Sequence, residues 1–116
     1  MSFLSLEPFV PSGKNFPAAK EFFKELGFSP AWDAGNYVGF ASGNCRFILQ
    51  NYDDDAFAAN LMINVKVADV QEFRAKVIDA DLPGRFGIRI GAITQQPYGK
   101  EVNIIDAAGV CWHFVE

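Results

Sequence analysis

The chain has 116 residues, of which 50% are hydrophobic and 21% are charged. This composition is typical of one folded domain with a modest core and excludes a disordered segment. The net charge of −4 and the scattered basic residues argue against a nucleic-acid surface, which needs clustered Lys and Arg. No apolar run approaches the roughly 20 residues of a membrane helix, and the N-terminus does not resemble a secretory signal. We therefore expect a cytoplasmic protein without a nucleic-acid or membrane partner.

The chain begins with a pattern that predicts a strand followed by a helix. An apolar run at residues 3–10 ends at Pro11, Ser12 and Gly13, which predicts a strand that runs into a turn. Pro17 is typical of a first helical turn, and Gly27 ends the helix. Between them, apolar residues recur at helical spacing and form the stripe Phe16, Ala19, Phe23 and Leu26.

Three short apolar segments follow this helix and predict strands joined by hairpin turns. They lie at residues 28–32, 37–40 and 45–50. The polar segment that contains Asp53, Asp54 and Asp55 then breaks the pattern. It lacks the glycine and the distal glutamate of a calcium-binding loop, so we interpret residues 53–59 as a linker.

The second half repeats the order of elements. Residues 61–67 predict a strand, and Asp69 with Glu72 forms the capping pattern of a helix start. The helix stripe is Val70, Phe73, Val77 and Ala80, and we expect the helix to end before Pro83. Three further strands are predicted at residues 88–94, 101–105 and 110–115.

The two halves align as an internal repeat. A constant offset places Asn15 on Asp69 and brings the two helix stripes into register. The sequence therefore predicts a single α+β domain of two βαβββ modules, residues 1–52 and 60–116, with mixed curved sheets and a helix on the outer face of each. A half of this size cannot bury its own sheet face, so we expect the paired modules to form a concave surface.

Several segments resemble a known superfamily. They are PFVP at residues 8–11, FFKELGF at 22–28, VADV at 67–70, PYG at 97–99 and DAAGVCWHF at 106–114. In this order and spacing they resemble the vicinal oxygen chelate superfamily, which includes glyoxalases, extradiol dioxygenases and bleomycin resistance proteins. The resemblance covers nearly the whole chain and implies paired βαβββ modules and a homodimer.

The resemblance also implies where a metal would bind. Metal-dependent members take ligands from the first and the last strand of each module. Carried over to this sequence, these positions are Pro8, Met62, His113 and Phe47, or Leu49 if the register shifts. Only His113 is a plausible ligand, whereas catalytic divalent sites normally need about three protein ligands. We therefore expect no metal and no cofactor, as in the bleomycin resistance proteins.

The candidate ligand-binding residues are His113, Phe47, Cys111, Tyr98, Phe9 and Gln50. His113 is the only histidine, and strand alternation places Cys111 on its face and Trp112 on the opposite face. We expect Cys111 and His113 to be too far apart for proton transfer. Gln50 would share the ligand face only if its strand slipped by one residue. Cys45 and Cys111 are expected to be small buried thiols, and a single bridge between them is the alternative.

These residues favour a binding protein over an enzyme. We expect a metal-free protein that sequesters a small aromatic or amphipathic compound, such as an antibiotic, in the groove between the modules. One alternative is a divalent-metal-dependent lyase or isomerase of the glyoxalase type, or a dioxygenase. The other is a structural subunit without catalytic activity.

Overall fold

In the computed structural model, which describes residues 1–116, the chain divides into two units, Met1–Asp54 and Asp55–Glu116. Each unit contains one open sheet and at least one helix, so the predicted α+β class is confirmed. No helix has the length and hydropathy needed to cross a membrane.

The first unit has the predicted β-α-β-β-β order. Its elements are β1 (Phe9–Pro11), α1 (Phe16–Leu26), β2 (Ser29–Asp33), β3 (Tyr37–Ser42) and β4 (Cys45–Gln50). The sheet order is β1-β4-β3-β2, with β1 parallel to β4 and the other neighbours antiparallel. The first strand is shorter than predicted and ends one residue later, because only Phe9, Val10 and Pro11 pair with β4. Residues 1–8 lie outside any strand, although the Pro8 carbonyl accepts a hydrogen bond from the Ile48 N–H at 2.8 Å.

The ends of α1 are fixed by its sequence. The Asn15 side chain accepts a hydrogen bond from the Ala18 N–H at 3.1 Å and caps the first turn. Gly27 ends the helix at φ +125°, a backbone conformation that favours glycine.

Four phenylalanines form the core of the first unit beneath α1. The Phe47 ring lies 4.9 Å from that of Phe23, 5.0 Å from that of Phe28 and 5.5 Å from that of Phe40, measured between centroids. All four side chains are buried. Val38 and Leu49 continue this face of the sheet and are also buried, so α1 covers one face of the sheet and leaves the other open.

The second unit is more elaborate than predicted. Its elements are α2 (Asp55–Asn60), β5 (Met62–Lys66), α3 (Val70–Asp79), α4 (Leu82–Phe86), β6 (Arg89–Ile90), β7 (Thr94–Gln96), β8 (Gly99–Ile105) and β9 (Cys111–Val115). The sheet order is β5-β9-β8-β6, and β7 also pairs with β8. Helix α2 begins inside the segment interpreted as a linker, and α4 begins where we expected only a turn. The strand predicted at 88–94 is replaced by β6 and β7, two short strands separated by a break.

One face of this second sheet forms the core of the unit. Trp112, Phe114, Val102 and Ile104 are all buried, and the Phe73 ring of α3 lies 4.2 Å from that of Phe114. The Asp69 cap of α3 is confirmed, since its carboxylate accepts from the Glu72 N–H at 3.0 Å. Cys111, His113, Glu101 and Asn103 alternate with the core residues and lie on the opposite face.

Candidate functional site

The open face of the first sheet carries a row of side chains that crosses all four strands. Phe9 of β1 pairs in register with Ile48 of β4, Ile48 with Gly39 of β3, and Gly39 with Trp32 of β2. Residues in register on neighbouring strands lie on the same face of a sheet. Their side chains therefore form one continuous apolar surface, opposite the face that α1 covers.

This surface is aromatic and forms a shallow groove. A groove of about 360 Å³ is lined by Phe9, Trp32, Ala34, Tyr37 and Ile48. The rings of Phe9 and Tyr37 meet edge to face, with centroids 6.0 Å apart. Phe9 is 52% exposed, Trp32 42% and Tyr37 38%. Clustered large apolar side chains of this exposure are typical of a binding surface, whereas isolated ones are common on any protein.

Gly39 shapes the floor of this groove. A Cβ atom built on Gly39 would overlap the Nε1, Cε2 and Cδ1 atoms of the Trp32 indole. The indole can therefore lie across β3 only because residue 39 has no side chain. We call the surface formed by Phe9, Trp32, Tyr37 and Ile48 the aromatic face.

Gln50 and Phe47 occupy different faces of β4. Gln50 pairs in register with Tyr37 and lies on the same side as Ile48, at the edge of the aromatic face, so the expectation that it reaches this face only after a one-residue slip is wrong. Phe47 and Leu49 point toward α1 and are buried, so the open face carries Ile48 where we expected Phe47. The predicted equivalence of Phe47 or Leu49 with His113 is wrong for the same reason. His113 lies on the open face of its own sheet, so its equivalents in β4 are Ile48 and Gln50, which lie on the open face of the first sheet.

The open face of the second sheet carries a row of polar side chains that lie close to one another. The Cys111 Sγ lies 3.4 Å from the His113 Nε2, and the His113 Nδ1 lies 3.6 Å from the Glu101 Oε1. The Tyr98 hydroxyl donates to the same Glu101 oxygen at 2.8 Å. We call Cys111, His113, Glu101 and Tyr98 the polar row. The expectation that Cys111 and His113 are too far apart is wrong, because strand side chains lean along the strand and the imidazole reaches the sulfur.

Burial controls the electrostatics of this row. The Glu101 side chain is only 7% exposed and the His113 side chain 25%. Burial, together with the carboxylates of Glu101 and Asp106, raises the pKa of the Cys111 thiol. The hydrogen bond to Glu101 raises the pKa of Tyr98. Asn103, the register partner of His113 on β8, has a buried side-chain oxygen without a hydrogen-bond partner.

Asp106 fixes the turn that precedes β9. Its Oδ1 atom accepts from the backbone N–H groups of Ala108, Gly109 and Val110, each at 3.0 Å. Its Oδ2 atom accepts from the Trp112 indole N–H at 2.9 Å. Burial raises the pKa of Asp106, and these four hydrogen bonds partly offset that effect. The carboxylate thereby sets where β9 begins and which of its residues reach the open face.

The six predicted ligand-binding residues are divided between the two units, and one of them, Phe47, is buried beneath α1. The structure brings His113, Cys111 and Tyr98 together in the polar row, whereas Phe9 and Gln50 lie on the open face of the first sheet. Sequence reasoning missed three residues of the aromatic face and one of the polar row, namely Trp32, Tyr37, Ile48 and Glu101. Strand alternation from the buried Leu49 would have identified Ile48. Of the cysteines, which are both free thiols, Cys45 is exposed and Cys111 is half-buried, so the prediction that Cys45 is buried is wrong.

The residues do not form the divalent-metal site of the metal-dependent glyoxalases. Pro8 and Met62 have no ligand atoms for a hard divalent ion, and β4 offers Ile48 and Gln50 on its open face. No group of three or more His, Cys, Asp or Glu side chains is arranged to hold a metal ion.

The fold matches solved structures of antibiotic-binding proteins. The bleomycin resistance determinant encoded on transposon Tn5 superposes with a TM-score of 0.80 at 18% identity, over 98% of both chains. The bleomycin-binding protein of Streptomyces verticillus, in complex with copper(II)-bleomycin, gives 0.77 at 21% identity, over 99% of this chain and 97% of that one. TnmS3, an antibiotic-binding protein from Streptomyces sp. CB03234, gives 0.75 at 15% identity over the same shares. Neither a protein-family model nor a curated protein matches the sequence. The resemblance to the vicinal oxygen chelate superfamily is confirmed at the level of the fold.

Proposed function

We propose that this protein, which has the fold of the bleomycin-binding proteins, binds a flat aromatic compound on the aromatic face of its first unit. The observation that carries the proposal is the row from Phe9 through Ile48 and Gly39 to Trp32, which presents exposed rings around one groove. Apolar walls with a few polar groups at the edge are typical of small-molecule sites. Gln50 supplies such a polar group beside Tyr37.

The chemistry of the groove defines the class of ligand. The exposed indole of Trp32 offers a flat surface on which a planar ligand ring can stack, while Phe9 and Tyr37 present an edge-to-face pair to the same space. The net charge of −4 favours a neutral or cationic compound over an anion. We therefore expect an aromatic compound, such as an antibiotic with a planar ring system, to be sequestered without chemical change.

Isothermal titration of the purified protein tests this function. The probes are metal-free bleomycin, whose binding proteins share this fold, and the planar cation acridine orange. We expect at least one probe to bind, and W32A to weaken its binding at least about tenfold, as for aromatic anchor residues. F3A is the matched control, because Phe3 is 93% exposed and lies outside the groove.

Three outcomes would contradict the proposal. If W32A and F3A bind the probe equally, the aromatic face is not the site. Stoichiometric zinc, nickel, manganese or iron in the protein as purified would favour the alternative, a metal-dependent lyase or isomerase of the glyoxalase type. A wider panel of planar aromatic compounds can be screened by thermal shift, because a ligand that binds the native state raises its Tm. Absence of binding by both probes and by every compound of the panel would favour a structural subunit.

We also propose that the protein is a homodimer, as the resemblance implies, and that it works in the reducing cytoplasm, where both cysteines stay free thiols. Sedimentation velocity of the full chain at micromolar concentration would then give twice the mass of one chain. A single monomeric species over the same concentration range would contradict the dimer but leave the aromatic face intact as a binding surface.

A further inference from the structure

The polar row of the second unit has the order of groups found in nucleophilic enzymes. A thiol, an imidazole and a buried carboxylate follow one another, with the Cys111 Sγ 3.4 Å from the His113 Nε2 and the His113 Nδ1 3.6 Å from Glu101. Nucleophile, base and orienting group within this reach are the general pattern of activated side chains. We infer that Cys111, with His113 as its base, adds covalently to electrophilic α,β-unsaturated ketones, and that Glu101 positions the imidazole.

The environment of Cys111 makes a base necessary. Burial and two carboxylates disfavour the thiolate, so the free thiol is the resting form of this cysteine at neutral pH. A neutral thiol is a weak nucleophile unless a neighbouring group accepts its proton. His113 Nε2 is the acceptor within reach, and the contact runs along the strand on the open face of the sheet.

Glu101 determines which imidazole nitrogen can act. Its buried carboxylate faces the His113 Nδ1 and favours a proton on that atom. Nε2 then keeps its lone pair toward the Cys111 sulfur. Tyr98 donates a hydrogen bond to the same carboxylate oxygen and holds it in place. Glu101 is therefore a positioning residue, since its effect on the sulfur runs through the imidazole of His113.

The surroundings favour conjugate addition over acyl transfer. Acyl transfer needs N–H donors for an oxyanion, but the Cys111 N–H already donates to the Leu61 carbonyl at 3.3 Å. The register partners of Cys111 on either side are Met62 and Ile105, which offer apolar walls for the alkyl part of an enone. The occupied N–H and the apolar neighbours together favour an apolar electrophile whose reaction needs no donor other than the imidazolium of His113.

The addition balances without a further reactant. The Cys111 sulfur forms a bond to the β-carbon while its proton moves to the His113 Nε2. The π electron pair of the C=C bond moves to the α-carbon, which takes the proton from the imidazolium in the same step, so no full oxyanion charge develops on the ketone oxygen. The product is a thioether in which S and H have added across the double bond, and His113 is regenerated.

Site-resolved alkylation of the full chain tests this inference. The protein is treated with cyclohex-2-en-1-one at pH 7, and the adducts on Cys111 and on Cys45 are quantified by peptide mass spectrometry. Cys45 is exposed and serves as the internal reference in the same molecule. We expect the ratio of the Cys111 rate to the Cys45 rate to fall at least about tenfold in H113G, as for loss of a general base. Added imidazole should restore that ratio in H113G, which a purely structural role would not produce.

Two more variants keep the test decisive. E101Q preserves shape and should lower the Cys111 ratio by less than H113G, because the imidazole remains but is no longer oriented by a charge. N64A is the matched control, since Asn64 pairs with His113 on the same face, and it should leave the ratio unchanged. A Cys111 ratio that H113G and E101Q leave unaltered, or an absence of adduct on Cys111 of the folded wild type, would overturn the inference. Neither result would affect ligand binding by Trp32 of the first unit.

Discussion

Gly39 offers a perturbation that reaches the proposed ligand site without removing any ring. In G39A the new Cβ atom would overlap the Trp32 indole, so the indole must leave its position across β3. Trp32 is partly exposed on an outer strand of the sheet, so it can rotate outward while the core beneath α1 stays intact. We expect the fold to persist and the aromatic face to lose its floor.

The size of the effect follows from the surface that Trp32 offers. A tryptophan side chain buries roughly 150–250 Å² when fully covered. With 42% of it exposed, roughly 60–100 Å² is available to a ligand. At roughly 25 cal/mol per Å², this contact is worth about 1.5–2.5 kcal/mol. G39A should therefore weaken binding roughly 13- to 70-fold.

Isothermal titration of four proteins separates this mechanism from general damage. The wild type, G39A, W32A and the double variant are titrated with the tightest-binding probe, and a double-mutant cycle is built from the four affinities. If G39A acts through Trp32, it should add almost nothing in the W32A background. G91A is the matched glycine control, because a Cβ at Gly91 meets open space. Full additivity of the two substitutions, or an unchanged affinity in G39A, would refute the reasoning.

Three further predictions concern stability and the two faces. F47A should lower the free energy of unfolding by about 3–5 kcal/mol, as for a buried Phe. F9A should lower it by less than about 1 kcal/mol, because Phe9 is half exposed, yet it should weaken binding of the probe. Urea unfolding followed by circular dichroism measures both, and equal losses would contradict the assignment of their faces. D106A should cost about 2–4 kcal/mol in the same assay, because it removes the acceptor of three backbone N–H groups and of the Trp112 indole; a loss below about 1 kcal/mol would argue against its role in the turn. Y98F should slow the Cys111 reaction less than E101Q does, because it removes one hydrogen-bond donor to the Glu101 carboxylate but leaves that carboxylate in place. Site-resolved alkylation measures both rates, and the opposite order would contradict the assignment of His113 as the base.

The fold was predictable because its signals are local and repeated. The helix stripes around Phe23 and Val77 and the caps Asn15 and Asp69 lie within a few residues of one another in the chain. These patterns recur in both halves, so the assignment of a helix in one half supports the assignment of the matching helix in the other. The misplaced ends, such as the first strand, depend instead on which residues find a partner on β4.

The site was only partly predictable because it depends on strand faces and on long-range pairing. Phe47 and Ile48 are neighbours in an apolar run, and alternation alone does not reveal which one α1 covers. The approach of Trp32 to Gly39 depends on the register of β2 with β3, including an irregularity between Pro30 and Trp32. Glu101 reaches His113 only through the pairing of β8 with β9, which no local pattern indicates.

The most direct test of the central claim uses the two indole N–H signals in a ¹H–¹⁵N correlation spectrum. Trp32 borders the groove, whereas the buried Trp112 donates its indole N–H to Asp106 in the second unit. During titration with the bound aromatic probe, the Trp32 indole signal should shift and the Trp112 signal should stay in place. A saturating probe that leaves the Trp32 signal unmoved would contradict binding on the aromatic face.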